Sequence, residues 1–444
     1  MDWQALTPLT RWQKAGTVAF FVMLLVYGGL VEARSALMER RMGDLDVFLR
    51  AAWAVRNNAD PYAITSDNGW HYIYPPLYAI LLTPLADPPL DADRAGYLPY
   101  AVCVGICYLL NLLCLMAGVH SLASALQDHA EDPAYRTQPT YCKRWWVLRL
   151  WPVFVCVLPI GHTLMRGQVN AIVLAILCTA IAGWMRGQNY RAGLWLALAI
   201  CLKVIPAYLL VYPLWKRDWR GLAGCAAGCL VGLGLIPLLA FGPTRATEHY
   251  ATYGRVFFGP LLKVSDDDSR KEEILGVNAT DSVGVKNALH NWMFPDAAHR
   301  PEDMGMVAKG LYLALGIGMT LLTLLPRSDS GAGSAHVLGG LVVLMAIFSP
   351  VCHSHYLLFC LPAVMSLMAH TWQYQPTVRV PWPMAACFVA FVAVMAIAYL
   401  PGLEILKDRC ASLFATLPLW GVPAFQLWRE TQMPPLPMAL RRAA

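Results

Sequence analysis

Two carboxylates, Asp44 and Asp46, follow the first long apolar run of the sequence, within the stretch GDLDVF. Charged groups at the end of a membrane-length apolar segment are costly to bury in lipid, which makes them candidates for function. Either carboxylate could accept a proton from a hydroxyl group as a general base. This stretch alone leaves open the alternative that both are solvated loop residues beside a helix end.

Four side chains later in the chain have the chemistry to bind a phosphate or a sugar. Arg166 could clamp a phosphate with two parallel hydrogen bonds, and Lys203 could offer it a point charge. His355 could donate a hydrogen bond to a phosphate oxygen. The ring of Tyr74 could stack on a sugar or line a groove for an isoprenoid chain. Together these residue types indicate a site for a phosphate-bearing substrate.

Each of these residues also has a structural interpretation. Tyr74 could belong to an interfacial aromatic belt, and Lys203 could extend to the membrane surface. His353 and His355 could be hydrogen-bonded residues at a helix start. Two histidines separated by one residue can also bind a metal, but no cysteine or carboxylate stands at a recognisable ligand spacing from them. The sequence therefore predicts neither a metal nor a cofactor.

The composition is that of a polytopic membrane protein. Of the 444 residues, 57% are hydrophobic and 14% are charged, and a soluble chain has no use for so many apolar runs near bilayer length. The net charge of +6 is explained by cytoplasmic loops rather than by a nucleic-acid partner. Most of the thirteen cysteines lie in apolar stretches and predict no disulfide framework. No Gly-rich phosphate loop occurs, so any activated donor must itself be membrane-borne.

The basic residues orient the chain with its N-terminus in the cytoplasm, because Lys and Arg accumulate in short cytoplasmic loops. The densest basic cluster is Lys216, Arg217 and Arg220. The segment between Arg191 and Lys216 is too short for two crossings of about 20 residues each, so it predicts a hairpin that turns within the membrane near Lys203. In all, about twelve crossings are predicted, at residues 16–33, 97–120, 147–161, 168–185, 190–202, 204–215, 221–242, 305–325, 335–349, 355–371, 383–400 and 410–428.

Two long connections, residues 34–96 and 243–304, come out on the non-cytoplasmic side in this topology. Loops of such length are commonly functional. The first is rich in aromatic residues and prolines and predicts an ordered cap, whereas the acidic run at 265–273 predicts a solvated tip. An outer cavity is expected, within a single membrane domain over residues 1–444. The polar candidates on this side are Asp44, Asp46, His71, Arg166, Gln168, Asn170, Lys203, Asn278, His353 and His355.

The order of these motifs resembles that of glycosyltransferase family 87. Each motif is weak alone, but the ordered set spans nearly the whole chain. The matching stretches are DLDVF from Asp44, DPY from Asp60, YPP from Tyr74, GQVN from Gly167, KVIP from Lys203, and SP from Ser349 with the later pair His355-Tyr356.

The resemblance implies a GT-C fold, an all-α polytopic helix bundle in the plasma membrane with a cavity on its outer face. It implies transfer of a sugar, by default mannose, from a polyprenyl-phosphate donor to a hydroxyl of a lipid or glycan acceptor, with inversion and without a metal. The family aspartate stands four residues before an aromatic, which selects Asp44 over Asp46 as the catalytic base, since Phe48 lies four residues on. His355 is selected as the second catalytic residue. The residues then predicted to bind the substrates are Asp46, Tyr74, Arg166, Gln168, Asn170, Lys203, Asn278 and His353.

Other classes of protein remain open. A secondary transporter would suit twelve spans and a lysine at the midplane, but the two halves show no clear self-similarity and the polar residues cluster at one face. Another polymerase or ligase of lipid-linked glycans would usually place arginines in the large outer loop. A catalytically silent membrane scaffold is the last alternative.

Overall fold

The computed structural model describes residues 3–38, 41–130, 136, 138–262, 269–276, 282–325, 331–372 and 378–432. Within these ranges the chain is helical and has no β-strand, only three isolated bridges. This confirms the all-α class predicted from the sequence.

The α-helices are Arg11–Ala36, Gly43–Arg56, Pro76–Leu81, Tyr100–Asp128, Lys143–Val155, Val157–Arg166, Asn170–Met185, Asn189–Leu202, Val211–Trp215, Trp219–Cys229, Ile236–Phe241, Pro243–Tyr253, Gly259–Leu262, Lys271–Leu275, Val285–Met293, Met306–Leu324, Gly331–Ile347, Leu361–Trp372, Trp382–Ile397, Glu404–Asp408 and Ala411–Gln432. The 3-10 segments are Trp3–Leu6, Thr83–Leu85, Ile205–Leu210, Ala297–His299 and Ser354–Cys360, and the π-helical segments are Leu230–Leu235 and Gly254–Phe258.

Four of the described helices are long and apolar enough to cross a membrane: Arg11–Ala36, Tyr100–Asp128, Trp219–Phe241 and Met306–Leu324. A fifth candidate is the pair Lys143–Val155 and Val157–Arg166, which is bent by 65° at the break between its halves. Shorter apolar helices fill the rest of the bundle. The chain is thus a multi-pass membrane protein.

Each of the twelve segments predicted from the sequence coincides with one of these helices or with a pair of them. Several are shorter than the roughly 20 residues that a full crossing needs. The count of about twelve crossings therefore remains a prediction, although the positions of the helices agree with it.

The helix Asn170–Met185 lies at the centre of the bundle, with nearly every side chain buried. It packs against Tyr100–Asp128 so closely that a Cβ on Gly118 would come within 2.4 Å of the Ala175 Cα. Close approach through small residues is typical of helix packing in membranes, where the apolar lipid gives helices little hydrophobic reason to associate. This packing fixes the N-terminal end of the helix, where the polar residue Asn170 is fully buried.

The described residues of the first long connection, 34–38 and 41–96, form an ordered cap rather than an irregular loop. The cap contains the 14-residue helix Gly43–Arg56 and the short helix Pro76–Leu81. The ring of Phe48 meets those of Tyr74 and Tyr78 edge to face, with ring centroids 5.0 Å apart in both pairs. Edge-to-face aromatic pairs add to the energy of burial, so this contact holds the two helices of the cap together.

Candidate active site

The helix Gly43–Arg56 presents its two acidic residues on opposite faces. Successive residues of an α-helix are about 100° apart, so a spacing of two separates Asp44 from Asp46 by about 200°. The side chain of Asp44 is 22% exposed, whereas that of Asp46 is fully buried. One short sequence pattern therefore places two carboxylates in different environments.

Asp44 lies in the first turn of this helix and forms an ion pair with Arg166, which donates from Nε to Oδ2. A negative charge is favoured at this end of a helix by the helix dipole. The second carboxylate oxygen of Asp44, Oδ1, accepts no hydrogen bond from the described residues. The ion pair thus fixes the orientation of the carboxylate and leaves one oxygen for a ligand.

The turn that carries Arg166 requires glycine at position 167. Gly167 ends the helix Val157–Arg166 with φ 66° and ψ 32°, in the left-handed region that favours glycine. A Cβ on Gly167 would also lie 2.5 Å from the Cβ of Leu45. Because Leu45 is the neighbour of Asp44, this close approach is what brings Arg166 against the carboxylate.

Asp46, on the other face, is held by Arg41 and by the chain around Asp67. The Nη1 atom of Arg41 lies 2.7 Å from Asp46 Oδ1 and 2.6 Å from Asp87 Oδ2, and its Nε lies 2.7 Å from Asp67 Oδ2. The other oxygen of Asp46 accepts a hydrogen bond of 3.0 Å from the backbone N–H of Asp67. Burial raises the pKa of Asp46, and the nearby Arg41 opposes that rise.

Two more arginines complete what we call the arginine–aspartate network. Arg50 Nη2 lies 2.8 Å from Asp67 Oδ1, and Arg94 Nη2 lies 2.6 Å from Asp87 Oδ1. Both oxygens of Asp46 are engaged within this network, so the structure favours a positioning role for Asp46 over the predicted contact with substrate. The members of the network are Arg41, Arg50, Arg94, Asp46, Asp67 and Asp87.

Lys203 is buried at the break that follows Leu202, where the backbone is extended. Its ammonium group donates a 2.8 Å hydrogen bond to Asn170 Oδ1 and lies 4.1 Å from the ring centroid of Tyr356. The ring of Tyr74 is on another side, 5.3 Å from the ammonium. No described carboxylate lies within ion-pair distance of this nitrogen. The described groups that stabilise the ammonium are therefore two aromatic rings and one amide oxygen.

Three buried polar atoms in this region have no hydrogen-bond partner among the described residues: Gln168 Oε1, Asn170 Nδ2 and His355 Nε2. An unsatisfied buried polar atom costs about 1–3 kcal/mol. Native structures therefore rarely leave such atoms clustered unless a ligand or ordered water satisfies them. The cluster indicates a polar ligand or ordered water beside Lys203.

His355 stands at the start of the 3-10 segment Ser354–Cys360 and is buried. Its ring centroid lies 5.1 Å from that of Tyr356 and 5.5 Å from that of His353. It is also within electrostatic range of Arg166 and Lys203. Within the described part of the chain, no group of three or more His, Cys, Asp or Glu residues could hold a metal ion.

Tyr74 connects the carboxylate side of the site to the lysine side. It lies within electrostatic range of both Gln168 and Asp44. Burial, with a further contribution from the Asp44 charge, raises the pKa of Tyr74 well above its usual value. The phenol therefore stays protonated and can donate a hydrogen bond.

The second long connection packs onto the first through residues 269–276. His71 Nδ1 lies 2.6 Å from Glu273 Oε1, and the His71 backbone N–H donates to Glu273 Oε2 at 3.3 Å. Arg270 donates to the backbone carbonyl of Tyr62. The predicted solvated tip is therefore wrong for Glu273, whose side chain is 13% exposed; residues 263–268 and Asn278 lie outside the described residues.

Two residues that sequence reasoning did not single out belong to this region. Tyr356 covers the ammonium of Lys203, and its position directly after His355 was the signal that could have identified it. Lys286 donates to the backbone carbonyls of Leu275 and Pro350, at 2.5 Å and 3.2 Å, and burial lowers its pKa to about 8. Lys286 has no comparable sequence signal, because its partners are distant backbone groups.

The structure thus brings most of the predicted site residues into one cluster and places Asp46 apart from it. Asp46 lies on the opposite face of its helix, and Asn278 is not among the described residues. The residues of the candidate site are Asp44, Tyr74, Arg166, Gln168, Asn170, Lys203, His355 and, at its edge, His353.

Comparison with known proteins gives a family and two related enzymes. The model of glycosyltransferase family 87 matches residues 72–350, a range that begins after Asp44. A polyprenol-phosphate-mannose-dependent alpha-(1-2)-phosphatidylinositol pentamannoside mannosyltransferase of Mycolicibacterium smegmatis is 24% identical over 309 residues. The corresponding phosphatidylinositol mannoside mannosyltransferase of Mycobacterium tuberculosis is 26% identical over 308 residues.

Both matches cover 68% of this chain, but only 62% and 63% of the two relatives, so the chain spans less than two thirds of their length. Among solved structures, the crystal structure of ArnT from Cupriavidus metallidurans bound to undecaprenyl phosphate aligns over 92% of this chain and 78% of that one. The TM-score is 0.37 and the sequence identity 12%.

Proposed function

The chain belongs to glycosyltransferase family 87, and on this premise we propose that it transfers a sugar, mannose in the first instance, from a polyprenyl-phosphate donor to a hydroxyl group. The acceptor is a lipid- or glycan-linked sugar. The two relatives support the donor, since both are polyprenol-phosphate-mannose-dependent. The two relatives act on phosphatidylinositol mannosides, which supports an acceptor of this general class.

One structural observation carries the proposal: a carboxylate and a buried ammonium belong to the same polar cluster. Asp44 is within electrostatic range of Lys203 and of Tyr74, and it has one oxygen available. Lys203 is beside unpartnered amide and imidazole atoms of Asn170 and His355. Displacement of phosphate from an activated sugar requires a base on one side of the sugar and phosphate-binding groups on the other, and this cluster offers both.

In the proposed reaction Asp44 accepts the proton of the acceptor hydroxyl as its oxygen attacks the anomeric carbon. The bond from that carbon to the phosphate oxygen breaks, and polyprenyl phosphate leaves with the electron pair. Lys203, with the imidazole of His355, stabilises the charge that develops on the phosphate. Attack from the face opposite the leaving group inverts the anomeric configuration. Arg166 orients Asp44 by the ion pair already described.

An apolar groove of about 300 Å³ has room for the first few isoprene units of such a donor. It begins near both phosphate-binding segments, since Tyr208 lies five residues after Lys203 and Phe348 just before Ser349. Its outer wall is the helix Met306–Leu324, most of whose apolar side chains are exposed. A lipid tail would therefore enter sideways from the bilayer while its phosphate reached the site.

The proposed site faces away from the cytoplasm, in a GT-C helix bundle of about twelve crossings in the plasma membrane. Cysteines introduced at His299 and Arg217, both exposed in the structure, test this orientation. In intact cells, His299→Cys is expected to react with an impermeant thiol reagent, and Arg217→Cys only after the membrane is permeabilised. The reverse labelling pattern would show the opposite membrane topology and would contradict the assignment of the active site to the outer face.

Lys203→Met and His355→Ala are expected to impair use of the donor while acceptor binding is nearly unchanged. Loss of a charged hydrogen bond to phosphate costs about 1.5–3 kcal/mol, which corresponds to about 10- to 150-fold in kcat/KM for the donor. Steady-state kinetics with each substrate varied in turn would measure the effect. Lys309→Met, a half-buried lysine outside the site, is the matched control. If both site variants kept wild-type kinetics with the donor, Lys203 and His355 would have a structural role and no role in donor binding.

A further inference from the structure

A second cavity, of about 750 Å³, lies beside the arginine–aspartate network, on the face of the Gly43–Arg56 helix that carries Asp46. None of the residues of the candidate active site lines it. The lining residues are Arg34, Ser35, Arg41, Asp67, Asn68, Leu90, Arg94 and Tyr100.

The described side chains that line this cavity carry a net positive charge. The three arginines of the network are balanced by its three aspartates. Arg34 adds another positive charge, and among the described residues it has no carboxylate partner within ion-pair distance. Among the described residues Arg94 pairs with Asp87 alone, and its side chain is 42% exposed, so it retains hydrogen-bond donors for a ligand. An anion entering the cavity would meet two guanidinium groups with donors to spare.

The cavity lies at the level of a membrane surface. Arg34 and Ser35 are in the last turn of Arg11–Ala36, and Tyr100 is the first residue of Tyr100–Asp128, and both helices are candidate membrane spans. The ends of such spans lie where lipid head groups lie. Apolar side chains are exposed along and beyond the first helix, with Leu30 63% and Leu37 82% exposed.

We propose that this cavity binds the head group of an anionic phospholipid of the surrounding bilayer, as a bound lipid distinct from donor and acceptor. The phosphate would lie between the guanidinium groups of Arg34 and Arg94, because guanidinium forms paired hydrogen bonds to phosphate oxygens. The acyl chains would run along the exposed side of Arg11–Ala36. Anionic lipids are known to be held by basic residues next to membrane spans.

The test is lipid binding by the purified full-length chain in detergent, followed by native mass spectrometry and by thermal unfolding. Dioctanoyl phosphatidylglycerol is the probe, with dioctanoyl phosphatidylcholine and inorganic phosphate as comparisons. Phosphatidylglycerol is expected to bind and to raise the midpoint of unfolding, since a ligand of the folded state stabilises it by mass action. Phosphatidylcholine and phosphate alone are expected to bind at least about tenfold more weakly, because the first has no net charge and the second no apolar tail.

Arg34→Gln is the decisive variant, because Arg34 forms no ion pair that holds the described fold together. It is expected to weaken phosphatidylglycerol binding about tenfold, the effect of losing one charged hydrogen bond. Arg34→Lys keeps the positive charge but lacks the planar guanidinium group. Its affinity for phosphatidylglycerol should therefore lie between those of the wild type and Arg34→Gln. Arg56→Gln is the matched control, since Arg56 is exposed at the end of the Gly43–Arg56 helix and contacts Tyr97 and Gly96 outside the cavity.

Unchanged binding of phosphatidylglycerol in Arg34→Gln would overturn the proposal. So would an equal loss in Arg56→Gln, which would indicate a diffuse surface charge effect. Inorganic phosphate binding as tightly as the lipid would replace the lipid site with a small-anion site. Binding of phosphatidylcholine as tight as that of phosphatidylglycerol would show that the arginines do not select the head group.

Discussion

Asp44→Asn is expected to lower the rate of sugar transfer by about 10²–10⁴-fold, the usual contribution of a general base. The amide has the size of the carboxylate and can still accept a hydrogen bond from Arg166, but it cannot accept the proton of the acceptor hydroxyl. Transfer of labelled sugar in membranes or detergent would measure the loss. Expression, thermal unfolding and donor binding should match the wild type, because Asp44 is partly exposed and its fold contacts are few.

The outcome is informative in either direction. An Asp44→Asn enzyme with at least half of the wild-type rate would remove Asp44 from the chemical step. If Asp44→Asn were active while Asp46→Asn folded normally and lost all transfer, the base would be the other carboxylate, two residues on.

Asp46→Asn is expected to destabilise the fold rather than to block the reaction. Removing one partner of a buried ion pair costs about 3–5 kcal/mol when the other charge is left uncompensated. Arg41 would lose its contact with the helix that carries Asp44 but keep Asp67 and Asp87, so the expected loss of stability lies below that range. Thermal unfolding and the yield of folded protein would report the loss.

The matched control for Asp46→Asn is Asp93→Asn, an exposed carboxylate of the same cap. It should unfold at the wild-type temperature. Transfer per folded molecule should remain measurable in Asp46→Asn, since both of its oxygens face protein groups rather than the active site. Normal stability with complete loss of transfer in this variant would contradict the positioning role.

The positions of the helices could be predicted from the sequence, because apolar composition and bilayer length decide them. The break at Lys203 was also predictable, since the apolar stretch around it is too short for two crossings. The resemblance to family 87, rather than the residues alone, gave a reason to separate Asp44 from Asp46, through the aromatic at Phe48. The local sequence pattern did not show that both carboxylates lie on one helix, where a spacing of two residues places them on opposite faces.

The contacts that hold the site together could not be predicted in the same way. Asp46 meets Asp87 through Arg41, across 41 residues of chain, and the pair formed by His71 and Glu273 is separated by 202 residues. Such pairs follow from how the two long connections fold against each other, and no local spacing encodes them. For the same reason Glu273 was expected in a solvated run, although the structure buries most of it against the cap.

The central claim is the use of a polyprenyl-phosphate sugar, and the most direct measurement is release of polyprenyl phosphate from a labelled donor. Membranes containing the wild-type chain or Asp44→Asn would be supplied with polyprenyl-phosphate mannose and an extract of membrane glycolipids, with GDP-mannose as the comparison donor. Release from polyprenyl-phosphate mannose is expected to require Asp44, to be insensitive to EDTA and to accompany labelling of an acceptor. Release no greater with the wild type than with Asp44→Asn, across a panel of polyprenyl-phosphate sugars, would contradict this claim.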